Sequence, residues 1–169
     1  KALSFLPLCH IYERMLLYLY FYSGTKIYFA ESLETISENL NEIKPEFMTA
    51  VPRLLEKLFD KIIAKGELLT GIKKKLFDWA VGLGLRYEPY GKNGWWYEFQ
   101  LKIARKLIFK KWQEALGGNL TTIASGSAAL QPRLARVFTA AGMTVAEGYG
   151  LTETSPVISV NDMRNFQMK

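Results

Sequence analysis

The spacing of apolar positions changes several times along the chain, and each change marks an expected element. Residues 3–8, Leu-Ser-Phe-Leu-Pro-Leu, form a short apolar run interrupted by proline, which predicts a strand leaving a sheet. An aromatic-rich helix is expected from about Ile11 to Tyr22; Ser23-Gly24 breaks it, and Lys26–Phe29 reads as a short buried strand. Ser32 can cap a helix running to about Glu42, with Leu33, Ile36 and Leu40 on one face. Phe47–Val51 is the next strand. Pro52 then suits the first turn of a helix, where its missing N–H costs nothing. Leu55, Leu58, Phe59 and Ile62 make the apolar stripe of that helix, and Gly66 is placed to end it.

Residues 67–112 interrupt this rhythm with a basic, aromatic, helical segment broken by Tyr90-Gly91-Lys92-Asn93-Gly94. The alternation then resumes. A strand is expected near Leu120–Ala124, a loop at Ser125–Ala129, a helix near Pro132–Ala141 and a strand at Thr144–Glu147. Pro132 near the start of that helix and Gly142 just past its end agree with Leu134, Val137, Phe138 and Ala141 on one face. Strands alternating with amphipathic helices predict an α/β fold, a mostly parallel sheet with flanking helices.

Composition narrows the class without changing that picture. With 49% hydrophobic and 22% charged residues among 169, the chain is ordinary globular material. The longest apolar stretch, Met15–Tyr22, is far short of the ~20 residues that span a bilayer. A lone Cys9 excludes an internal disulfide framework and favours a reducing, cytoplasmic setting, and a single histidine argues against a structural zinc site. The chain opens at Lys1 already reading as the middle of a fold, so a piece of a larger protein is expected. The net charge of +6 is concentrated: residues 67–112 hold ten Lys/Arg against Glu67, Asp78, Glu88 and Glu98, which points to an anionic partner.

The candidate chemistry lies in two short loops after predicted strands. One is Ala124-Ser125-Gly126-Ser127-Ala128-Ala129-Leu130; the other is Glu147-Gly148-Tyr149-Gly150-Leu151-Thr152-Glu153-Thr154. Ligands of parallel sheets bind at the carboxyl ends of strands, where both loops are expected. Small residues at 125–129 let a flat ring approach backbone N–H and C=O groups. Gly148 and Gly150 are expected to free the chain around Tyr149 so that its ring can stack on a base. Thr152 offers a hydroxyl to phosphate oxygen, and Glu153 a hard oxygen to magnesium. On residue types alone, a glycine-containing turn with no ligand reads equally well.

Gly148–Thr154 followed by Ser155-Pro156 closely resembles the adenylate-forming, AMP-binding superfamily, and Ser125–Leu130 resembles its adenine-contacting loop. Leu6-Pro7-Leu8-Cys9-His10-Ile11-Tyr12-Glu13-Arg14 and Val51-Pro52-Arg53-Leu54-Leu55-Glu56-Lys57 resemble segments of long-chain fatty acid–CoA ligases. The resemblance implies that 1–169 is part of the large N-terminal domain of such a ligase. It implies a fatty acid, ATP (with AMP as the bound product nucleotide), Mg2+ and coenzyme A as cofactors and co-substrates. Tyr149 would stack on adenine, with Ser125, Gly126, Ser127 and Ala128 framing it. Gly148, Gly150 and Leu151 would shape the nucleotide loop, Thr152 would meet the α-phosphate, and Glu153 would hold the metal. His10 would lie near the acyl carboxylate; its alternative is a structural histidine beside a strand end. Relatives often carry two glycines and a proline where this chain has Gly126-Ser127-Ala128-Ala129, a change that backbone roles tolerate. The lysine-bearing phosphate loop and the small C-terminal domain of the family do not occur within this sequence, so the chain alone is expected to make no acyl-CoA. Adenylation of another carboxylic acid is the alternative activity, because the nucleotide motif does not report acyl length.

The basic segment carries a second question. A helical projection from Glu98 to Trp112 places Leu101, Ala104, Leu107, Ile108 and Trp112 on one face and Lys102, Arg105, Lys106 and Lys110 opposite. Lys111 intrudes on the apolar face, while Phe99, Ile103 and Phe109 fall on the basic side. With Trp95-Trp96-Tyr97 upstream, residues 95–112 read either as a helix resting on anionic lipid or as one packed on the domain with its lysines in water. No nucleic-acid motif accompanies the charge, so a nucleic-acid partner is not expected.

Overall fold

The computed structural model describes residues 1–32 and 34–161. The expected place of Leu33 on a helix face, and residues 162–169 of the domain assignment, lie outside the described residues. The elements run β1 (Ala2–Ser4), α1 (Ile11–Tyr22), β2 (Ile27–Phe29), α2 (Ile36–Ile43), β3 (Phe47–Ala50), α3 (Pro52–Glu67), α4 (Gly71–Leu85) and α5 (Trp95–Ala104). A π turn (Arg105–Phe109) leads into α6 (Lys110–Ala115), followed by β4 (Thr122–Ser125), α7 (Pro132–Ala140), β5 (Thr144–Gly150), a 3-10 turn (Thr152–Thr154) and β6 (Val157–Val160).

The sheet has the order β2-β1-β3-β4-β5-β6. Pairing is parallel from β2 to β5, while β6 lies antiparallel on β5. The expected mostly parallel α/β fold is therefore present, with one strand, β6, that the sequence reading did not foresee. Strand residues alternate between faces, as the pleat requires. Leu3, Met48, Ile123 and Val145 join the main core with residues of α2 to α7, whereas Ala2 and Phe47 face Tyr12, Leu16 and Tyr20 of α1.

Several boundaries moved for identifiable reasons. β1 stops at Ser4, because the chain then turns through Pro7, whose carbonyl accepts from the His10 N–H at 2.9 Å. Ser32 does not cap α2. Ser32 and Thr35 instead exchange side-chain-to-backbone hydrogen bonds of 3.1 and 3.3 Å, making a turn ahead of a helix that starts at Ile36. Gly66 does not end α3 either. It lies inside the helix, where a Cβ would fall 2.0 Å from the Phe77 ring, so this glycine allows α4 to approach closely.

The largest correction concerns residues 98–112. The π turn inserts one residue into the helical phase, so the buried positions run Leu101, Ala104, Phe109, Trp112 and Leu116. Phe109, expected on the basic side, is fully buried with its ring edge-on to Trp112 at 5.0 Å. Leu107, expected on the apolar face, is 46% exposed. Arg105 Nε and Gln113 Nε2 donate to the Ala140 and Ala141 carbonyls at 2.8 and 2.9 Å, satisfying the end of α7 and fixing the helix on both sides of the turn.

Candidate functional site

The carboxyl ends of β4 and β5 open into a cleft of about 280 Å³. His10, Gly126, Ser127, Gly148, Tyr149, Gly150, Leu151, Thr152 and Glu153 all line it, although they come from three separate stretches of chain. Ser125 and Ala128 do not. Ser125 is the last residue of β4, opposite Glu147 in the register, and its buried Oγ has no hydrogen-bond partner among the described residues. Ala128 is exposed on the loop beyond the cleft wall.

The second of the two predicted loops is mostly not a loop. Gly148, Tyr149 and Gly150 continue β5 and pair with β6, with an irregularity between Tyr149 and Gly150. Neither glycine has a positive φ, so the conformational freedom expected of them is not used. Gly150 is needed for another reason: a Cβ there would fall 1.7 Å from the Pro156 carbonyl oxygen. The pairing fixes the backbone while leaving the Tyr149 ring 64% exposed in the cleft. The chain then turns sharply. Thr154 Oγ1 accepts from the Leu151 N–H at 3.0 Å and donates to the Pro156 carbonyl at 2.9 Å, presenting Thr152 and Glu153 to solvent at the cleft edge.

The first loop is held from two sides. Glu147 Oε1 accepts the Leu130 N–H at 3.1 Å, tying the far end of the loop to β5. At its near end the Tyr12 ring lies beneath Gly126, where a Cβ would come within 3.1 Å of the ring, and the Tyr12 hydroxyl donates to the Ala124 carbonyl at 3.4 Å. Burial, with the neighbouring Glu13 charge, pushes the Tyr12 hydroxyl up to about 12, so it stays protonated and able to donate. Ser127 takes a φ of +71°, a left-handed conformation that turns the loop.

His10 takes the structural part considered from sequence, at the start of α1, and also faces the cleft. Its Nδ1 accepts the Tyr12 N–H at 3.2 Å and so caps α1, while the ring lines the cleft. An accepting Nδ1 leaves Nε2 as the protonated nitrogen, a donor available to a ligand oxygen. Glu13, on the same helix, is fully buried and receives hydrogen bonds from the Ser4 and Thr49 hydroxyls. Its burial raises the carboxyl above the ordinary range, partly offset by those two bonds. Glu13 thus fastens to β1 and β3 the helix that carries His10 and Tyr12.

The sequence reading missed Tyr12 and Glu147 as positioning residues, and Ile11, Pro156 and Val157 as parts of the wall. Val157-Ile158-Ser159-Val160 was a visible β-branched run after a proline and was enough to place β6. Nothing in the local sequence signals that Glu147 reaches back to Leu130.

The cleft suits a nucleotide monophosphate. It joins an exposed aromatic ring, small residues whose backbone lies at the surface, a hydroxyl, an imidazole donor and a carboxylate free of ion pairs among the described residues. No cluster of three or more His, Cys, Asp or Glu occurs among the described residues. Magnesium held by Glu153 would therefore take its other ligands from phosphate and water, a normal arrangement for this ion.

The family described as AMP-binding enzyme matches residues 1–168. Long chain acyl-CoA synthetase 3 of Arabidopsis thaliana is 34% identical over 155 residues, 90% of this chain and 23% of that protein. Long-chain-fatty-acid–CoA ligase 1 of Cavia porcellus is 33% identical over 161 residues, 94% of this chain and 22% of that protein. The chain spans about a quarter of the length of the curated relatives it matches. Among solved structures, the A domain of carboxylic acid reductase from Segniliparus rugosus, in complex with AMP and a co-purified carboxylic acid, superposes with a TM-score of 0.65. The match covers 95% of this chain and 22% of that one at 22% identity, which establishes a shared fold.

Proposed function

Because the chain belongs to the AMP-binding enzyme family, we propose that it supplies the adenine and α-phosphate part of an ATP-dependent ligase. That ligase converts a long-chain fatty acid first to its acyl-adenylate and then to its coenzyme A thioester. The observation that carries this reading is the convergence of His10, Tyr149, Thr152 and Glu153 on one cleft from distant stretches of chain. Within it, Tyr149 stacks on the base and the 126–127 backbone reads the base edge. The Thr152 hydroxyl and the His10 Nε2–H donate to oxygens at the reacting centre, and Glu153 would hold Mg2+, which would supply positive charge to the phosphates. Fatty acid is favoured over other carboxylic acids because relatives above 30% identity include long-chain acyl-CoA synthetases and ligases.

The test has two arms. AMP binding to the full chain, measured by calorimetry, is expected to weaken about tenfold or more in Tyr149→Ala, since base stacking on an aromatic contributes about 1–3 kcal/mol. Unchanged affinity would remove the stacking role. Pyrophosphate release by the intact protein, across acids from acetate to long-chain fatty acids and amino acids, is expected to peak at long chains and vanish in Glu153→Gln. A peak at short or amino acids would keep the chemistry and overturn the substrate.

A second observation favours peripheral contact with the cytoplasmic face of a membrane. Trp95, Trp96 and Phe99 are exposed at the start of α5, with Trp96 and Phe99 stacked at 5.7 Å and Lys92 and Lys102 nearby in the chain. Such an aromatic and basic surface suits the headgroup region of anionic lipid. Co-sedimentation with phosphatidylglycerol vesicles should be lost when all three aromatics become serine. Retention would mean that these rings do not touch lipid.

A further inference from the structure

On the helical side of the molecule a second concavity, an open groove of about 640 Å³, shares no lining residue with the cleft. Its walls include Leu58 and Ile62 of α3, Phe77 of α4, Ile108 of the π turn and Trp112 of α6. Gly66 lets the Phe77 ring sink against α3, which deepens the floor. The rim has one sign of charge. Lys61 and Lys65 of α3, Lys73 of α4 and Lys111 of α6 border the groove, and among the described residues no carboxylate does.

These lysines differ from their sequence neighbours. Lys74 pairs with Asp78 and Lys110 with Glu114, whereas none of the four rim lysines makes an ion pair among the described residues. Lys61 and Lys65 stand one turn apart on the same helix, an arrangement in which like charges repel. An anion placed between the helices would relieve that repulsion. The helical-phase shift at Arg105–Phe109 helps build the site, because Leu107, Ile108 and Lys111 all border the groove while Phe109 packs into the core.

We propose that this groove binds a single-chain anionic amphiphile, a free long-chain carboxylate, apart from the nucleotide cleft. The chain would lie along the apolar walls and the carboxylate at the lysine rim. The volume is that of a small-molecule site, and the pairing of an apolar floor with a basic rim selects the ligand class. A small anion satisfies only the rim, and a cationic amphiphile only the floor. The proposal is independent of the nucleotide reading and would survive its failure.

The test titrates the full chain with dodecanoate below its micelle threshold, following tryptophan fluorescence and heat, with acetate and dodecyltrimethylammonium as controls. Dodecanoate is expected to saturate one site at least tenfold more tightly than the cation, and acetate not to bind. Changing Lys61, Lys65, Lys73 and Lys111 together to Gln should weaken dodecanoate at least tenfold without altering the circular dichroism melt, since all four side chains are exposed. Equal affinity for the cation, a Gln variant that binds as well as the parent, or uptake that never saturates would each overturn the proposal; the last would leave the groove to a polypeptide partner.

Discussion

The cleft at the strand ends and the groove among the helices are both concave and both border on charged groups, yet they are built in opposite ways. The cleft is made by short contiguous runs, 126–127 and 148–153, in which backbone geometry does most of the work and His10 is brought in by a helix cap. The groove is made by side chains from five separate elements, and its shape depends on the phase of each helix. A contiguous run carries its chemistry wherever the fold places it. A multi-helix surface exists only if every helix keeps its register.

The largest effect that can break this contrast lies in the helical side. If the π turn sets the phase of 105–116, Phe109→Ala should cost about 3–5 kcal/mol of stability, the normal range for removing a buried aromatic. Leu107→Ala should cost under about 1 kcal/mol, because that side chain is 46% exposed. Urea unfolding of the two variants decides the matter. The reverse order would restore an uninterrupted helix and remove the groove's present wall.

The next effect sharpens the account of the cleft. Gly150→Ala sets a Cβ against the Pro156 carbonyl, so β6 must shift away from β5 at an overpacking cost of about 1–3 kcal/mol. AMP affinity should fall with it, because Tyr149 and the Thr152–Thr154 turn depend on that pairing. Gly148→Ala meets only ordinary contacts at 3.9 Å and should change stability by less than about 1 kcal/mol. Equal destabilisation by the two alanines would show that the glycines serve flexibility after all.

How much could be read from the chain follows the same division. The helix Ile11–Tyr22 and the start of α3 at Pro52 were legible because they carry strong local signals. Most of the cleft was legible because Gly148–Thr154 is a contiguous motif. Ser125 was placed in the loop but belongs to buried β4, because one residue of strand length reverses a side chain's face. The π turn was invisible, since a period of 3.6 was imposed on a segment that contains one extra residue. Gly66 was read as a stop signal when its purpose is contact with Phe77, a residue eleven positions on in the next helix. Pairings between distant residues, such as Glu147 with Leu130, leave no local mark.

The smallest effect is a slope, and it concerns how α1 is held beneath the cleft. Glu13 is a fully buried carboxylate in the contact between α1 and the sheet, and its burial keeps the carboxyl above the ordinary value of 4.5. In the unfolded chain the group ionises at that ordinary value, so the folded state holds the proton more tightly. The stability it contributes is therefore fully present below pH 4.5 and is lost as pH rises through the raised folded value, after which the curve is flat. One proton limits the slope to about 1.4 kcal/mol per pH unit. Glu13→Gln should remove that descending portion from urea midpoints measured between about pH 4 and about pH 8. The amide oxygen can still accept from the Ser4 or Thr49 hydroxyl, so α1 and the His10 cap should stay in place. If the variant instead kept the wild-type descent, the titrating group would lie elsewhere and the Ser4–Glu13–Thr49 contact would be a passive fastening. If the descent vanished while AMP binding was preserved, the buried carboxylate would be shown to act on stability and not on the geometry of the cleft.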